Sequence, residues 1–159
     1  MPGSSSSAIP SGMLLAVDIG LRTAWALFDR QGRLLRFESR NFVNRTRFRS
    51  GVVTVLKTLP TGIEVIVAEG DRKLARIWFE CRQDWETQVV GAEHWRREIF
   101  WPRQRRNGPQ AKDAAKVLAA RLVREDECGW SQDLNDDTAE AILLGLWAVR
   151  GRGWRSTRS

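Results

Sequence analysis

Cysteine is scarce in this 159-residue chain and histidine scarcer still, with two of the first and one of the second. Cys81 and Cys128 lie far apart with no CxxC spacing, which argues against zinc ribbons and a disulfide framework and makes a reducing, intracellular compartment the default expectation. His94 stands alone, so histidine-based metal binding or general-base chemistry has little to draw on, and it reads as an ordinary surface or packed residue. No apolar run approaches the ~18 residues that a membrane span requires. The opening MPGSSSSAIPSG has neither a basic start nor an apolar core, so residues 1–12 read as a flexible tail rather than a signal peptide.

What remains is enough for one ordinary domain. Hydrophobic residues make up 42% of the chain, sufficient for a packed core without staples. The formal net charge is +7, and every basic residue except Lys57, Lys73, Lys112 and Lys116 is arginine. The guanidinium fork suits phosphate, so this balance points toward a polyanionic partner.

The order of patterns predicts an α/β domain over residues 13–150. Leu14–Val17 reads as a strand buried on both faces, and Thr23–Asp29 and Arg33–Ser39 complete an antiparallel meander. Phe48, Val52, Val55, Leu56 and Leu59 mark one face of a helix over 46–59, closed by Pro60 and Gly62. IEVIVAEG reads as a second buried strand, followed by a helix over 74–82 and a short strand at 87–90. Helices are expected over 92–100, 111–124 and 137–149, with a basic loop, WPRQRRNGPQ, before the second of these. Strands joined through helices should be parallel neighbours, giving a mixed sheet flanked by helices on both faces. Residues 151–159 read as a basic, disordered tail.

Four carboxylates stand out from this frame. Sites in such sheets form at the carboxyl ends of the parallel strands, where Asp18 and Glu69 end the two buried runs. Asp137 and Glu140, three apart, share one face at the start of the last helix. Each acid also has a structural reading: Asp18 as a turn residue, Glu69 in a solvated loop, and Asp137 with Glu140 as a capping box. Taken together, four converging carboxylates repel unless cations join them, and an all-oxygen set favours Mg²⁺ or Mn²⁺. Two such ions support phosphodiester hydrolysis without a histidine or serine nucleophile.

The segments AVDIGLRTAWALFDRQGRLL, VIVAEG, HWRREIF with AKDAAK, and DDTAEAILLGLWA resemble, in order and spacing, the RuvC-type Holliday-junction resolvases, with the closest likeness to phage-like and divergent members. The resemblance covers residues 13–150. It implies an RNase H-like fold and a homodimeric, Mg²⁺-dependent endonuclease that resolves four-way DNA junctions, leaving 5′-phosphate and 3′-hydroxyl ends. It further implies that Asp18, Glu69, Asp137 and Glu140 hold two metal ions, with Mn²⁺ able to substitute, and that Lys112 lies near the scissile phosphate with Lys116 one turn along. Where many members carry an aromatic wedge three residues after the second acid, this chain has Arg72. Arg22, Arg72, Lys73, Arg103, Arg105, Arg106, Lys112 and Lys116 are the expected DNA contacts. A nuclease for other branched DNA or structured RNA, and a junction-binding protein without cleavage, are the alternatives. Trp95 is expected in the core. Leu74, Ile77, Trp78 and Phe79 carry more apolar surface than one helix face needs, which suits either a dimer interface or a fully buried helix.

Overall fold

A computed structural model of the chain describes residues 12–82, 84–100, 108–128 and 134–156. Its strands are β1 (Met13–Ile19), β2 (Arg22–Phe28), β3 (Leu34–Asn41), β4 (Ile63–Gly70) and β5 (Glu86–Val89). They form one mixed sheet in the order β3-β2-β1-β4-β5. β1, β2 and β3 pair antiparallel, whereas β4 runs parallel to β1 and β5 parallel to β4. The helices are α1 (Arg45–Thr58), α2 (Arg72–Cys81), α3 (Ala92–Ile99), α4 (Gly108–Glu125) and α5 (Asp136–Gly151). The expected α/β architecture is therefore present, with boundaries moved by a few residues. α4 begins three residues early because Pro109 is tolerated in a first helical turn, where its missing N–H costs nothing.

Strand alternation divides the apolar residues between two cores. Leu14 and Ala16 of β1, Ala24, Ala26 and Phe28 of β2, and Val65 and Val67 of β4 face α3, α4 and α5. Leu15, Val17, Trp25, Leu27, Ile66 and Ala68 face the opposite way, onto α1 and α2. Both faces being covered explains why β1 is an apolar run rather than an alternating one. Trp78 of α2 is fully buried, 6.4 Å from the Trp25 ring, and Ile77 and Phe79 pack on the same core. Leu74 and Trp78 are thus taken into the core, while Ile77 and Phe79 stay partly exposed.

α5 is buried nearly all round, between the sheet on one side and α3 and α4 on the other. Small residues let it lie close: Ala24 and Ala26 line its bed, and Gly145 sits directly against the Phe28 ring. The chain beyond α5, expected to be a free tail, is held as far as Arg155. Arg155 Nη1 donates to buried Asp126 at 2.7 Å and to the Gly32 carbonyl at 3.0 Å, while Arg30 stacks on Trp154. Asp126 also accepts from the Leu34 backbone N–H at 2.8 Å, so one carboxylate joins the β2–β3 turn, the end of α4 and the C-terminal segment.

At an exposed helix position, glycine to alanine is stabilising by about 1 kcal/mol. At Gly145 the added methyl has no room against a fully buried ring, and overpacking of this kind costs about 1–3 kcal/mol. Gly145→Ala is expected to lower the urea midpoint, and an unchanged or raised midpoint would show that Phe28 gives way.

Candidate functional site

The parallel pairing of β1 with β4 sets Asp18 directly beside Glu69 in register. Because alternate residues share a face, Asp18 follows Leu14 and Ala16, and Glu69 follows Val65 and Val67. Both carboxylates therefore stand on the face covered by α5, at the strands' carboxyl ends. The next pair along, Ile19 and Gly70, closes the junction. Gly70 has φ +120°, and a Cβ there would collide with the Ile19 carbonyl oxygen. Asp71 then caps α2 by accepting from the Lys73 and Leu74 N–H groups.

α5 brings the other two acids. Its cap is Asn135, whose side chain accepts from the Thr138 N–H at 2.9 Å while the Thr138 hydroxyl accepts from the Asn135 N–H at 2.8 Å. The capping box is thus Asn135–Thr138, and Asp137 and Glu140 are free of capping duty. Asp18 likewise makes no turn: the β1–β2 connection is tied by the Thr23 hydroxyl donating to the Gly20 carbonyl at 2.6 Å.

Electrostatics report the convergence. Burial pushes the Asp18 carboxyl up to about 8, with further upward contributions from the charges of Glu69, Glu140 and Asp137. Hydrogen bonding to Glu69 adds to the rise, so near neutral pH Asp18 keeps its proton. Burial raises Glu140 as well, opposed by Arg96. Among the described residues no three histidine, cysteine or acidic side chains stand close enough, as they lie, to hold a metal ion. The donor set is nonetheless one that suits a hard divalent cation: four carboxylates, with Glu140 Oε2 fully buried and without a hydrogen-bond partner.

Two site residues were not legible as such in the sequence. Both come from α3. Trp95, expected in the core, is fully buried there, and its indole N–H also donates to Glu69 Oε1 at 3.3 Å. Arg96 Nη2 donates to Glu140 Oε1 at 2.6 Å. The adjacent pair thus holds two of the carboxylates, one by a neutral donor and one by a cation.

The expected DNA contacts are divided by the structure. Lys116 Nζ lies 3.2 Å from Asp136 Oδ1, in the first turn of α5 beside Asp137. Lys112 is exposed on α4 and pairs with no acid among the described residues. Arg72 and Lys73 are exposed on the first turn of α2, and Arg72 lines with Glu69 a cleft of about 240 Å³ between the β4 and β5 tips and the start of α3. Arg22 is exposed at the first position of β2. Arg103, Arg105 and Arg106 lie outside the described residues. His94 is exposed and edge-on to Trp147, with ring centroids 5.5 Å apart.

No protein-family description matches the chain, and no curated protein does. Among solved structures, it is similar to a chain in a cryo-EM structure of the simian T-cell lymphotropic virus intasome in complex with PP2A regulatory subunit B56 gamma, at 9% identity and a TM-score of 0.31. That likeness covers 85% of this chain and 47% of the other, so the chain spans about half that relative's length. At this level it carries no argument.

With Asp18 titrating near 8 in the fold against 3.8 ordinarily, the folded state keeps a proton that the unfolded chain loses between those values. Stability therefore falls as pH rises across that window and levels off above it. In chelator, Asp18→Asn is expected to melt several degrees above the parent at pH 8.5, at ~2–4 °C per kcal/mol relieved, and to converge with it near pH 4. A constant difference across that range would remove Asp18 from the repulsive cluster.

Proposed function

We propose that this chain is an RNase H-like nuclease of the RuvC type, a divalent-metal-dependent endonuclease acting on four-way DNA junctions as a homodimer. The observation that carries the reading is the in-register pair Asp18 and Glu69 at the carboxyl ends of adjacent parallel strands, with Asp137 and Glu140 within electrostatic reach. The sheet order supports it, since a β1–β2–β3 meander extended by parallel β4 and β5 is the arrangement expected of that fold. So does the excess of arginine.

In this reading Asp18, Glu69, Asp137 and Glu140 hold the metal. Divalent cations, when bound there, supply water activation and charge neutralisation at a phosphodiester. The chain's own residues do the rest. Trp95 fixes the Glu69 carboxylate through its indole N–H. Lys116 of α4, beside the first turn of α5, and Arg72, lining the cleft with Glu69, offer cationic contacts for a phosphate backbone. A second copy of the chain would provide the paired cuts that symmetric resolution needs.

The deciding assay incubates the chain with Mg²⁺ and a synthetic four-way junction, beside linear duplex and an RNA hairpin. Paired symmetric nicks in the junction are expected. Asp18→Asn should reduce cleavage by at least about 10³-fold while junction affinity stays within about two-fold. Tight binding without product would favour a junction-binding module, and cutting of RNA alone would overturn the DNA assignment.

A further inference from the structure

We propose that Arg96 is the resident counter-ion of Glu140, which a divalent cation must displace in order to bind. This rests on the metal-dependent reading above and assigns a state to the same site. The guanidinium holds Glu140 Oε1 at 2.6 Å, and the other carboxylate oxygen, Oε2, is buried with no hydrogen-bond partner. The two side chains are only 30% and 20% exposed, so their pairing is little screened by solvent. α3 has no other cation on Glu140: Arg97 is exposed, and Arg96 is the only described residue paired with that carboxylate.

The arrangement is poorly suited to permanence. Glu140 has one oxygen satisfied and one stranded, and a buried carboxylate left half-partnered carries a desolvation cost that a ligand reaching both oxygens would relieve. Arg96 also has somewhere to go. Its guanidinium carbon already lies 5.2 Å from the centroid of the Trp95 ring, so once its hydrogen bond to Glu140 is lost the charge keeps a weak, orientationally loose contact with that aromatic face. Trp95 would remain in place, since it is fully buried and tied to Glu69.

The full chain is titrated with Mn²⁺ by calorimetry, beside Arg96→Gln, Arg96→Lys and Asp18→Asn, each checked for folding by its melting transition. Arginine side-chain ¹⁵N spectra are recorded in parallel with and without Mg²⁺, the Arg96 signal being assigned by its absence in Arg96→Gln. The expected result is Mn²⁺ binding that Asp18→Asn abolishes, that Arg96→Gln tightens about 10-fold, and that Arg96→Lys tightens less. The Arg96 signal should be restrained without Mg²⁺ and motionally averaged with it. If binding depends on Asp18 but Arg96→Gln leaves it equal or weaker, or Arg96 stays restrained at saturating Mg²⁺, the displacement is overturned and the metal-dependent reading stands. If Asp18→Asn binds Mn²⁺ like the parent, or neither the parent nor Arg96→Gln binds it, both fall together.

Discussion

The parallel contact between β1 and β4 is the constraint on which the rest of the molecule depends. It places two strand ends side by side, and the alternation of side chains then leaves no choice about which residues share a face. Leu14, Ala16 and Asp18 go one way with Val65, Val67 and Glu69. A slip of one residue in either strand would turn its acid toward the α1–α2 core and part the pair. Gly70 helps hold the register at the tip, because only a residue without a Cβ can adopt its backbone angle against the Ile19 carbonyl. The carboxylates are therefore adjacent as a consequence of how the core packs, not of any contact between themselves.

Such adjacency is electrostatically unfavourable, and the fold relieves it in several distinct ways. Asp18 and Glu69 share a hydrogen bond that needs a proton. Glu69 receives an indole N–H, Glu140 an arginine, and Asp136 a lysine from α4. None of these partners is contributed by the strands that create the problem; they come from α3 and α4, packed on the same face. The helices on that side do two jobs, burying apolar surface with one set of residues and balancing charge with the next residue along. Trp95 and Arg96 are neighbours in the chain and show the division most directly.

Much of this was legible in the sequence because it follows from local periodicity. Two apolar runs ending in Asp18 and Glu69 announced buried strands with acids at their tips, and the spacing of Asp137 and Glu140 announced one helical face. What was not legible depends on contacts across long separations. Nothing near Trp95 marks it as a donor to a carboxylate 26 residues earlier, nor Arg96 as the partner of an acid 44 residues later. The cap of α5 was open for a related reason: Asp137 and Glu140 match the capping spacing, but Asn135 and Thr138 match it too, and the helix start decides between them. The steric demand at Gly70 was not legible either, because its significance exists only once β1 is alongside. Of the two lysines on α4, the structure brings Lys116 rather than Lys112 to an acid, a distinction that depends on how α4 lies across α5.

The cluster's self-neutralisation also bears on what it can accept. A site already balanced by a shared proton and an arginine does not attract a cation as four free carboxylates would. On the proposed reading, a cation bound there would be exchanged for something the fold has put there. On the proposed metal-dependent reading, that exchange would link protonation and metal occupancy at one place: raising pH removes the proton held by Asp18, and so would make its oxygens better ligands. Glu69 is held by a neutral donor, which leaves its charge in place, whereas Glu140 is held by a full positive charge that opposes any incoming cation. The strand pair is thus the side of the cluster where a cation meets least competition once the proton is lost, and the α5 side is where it meets most.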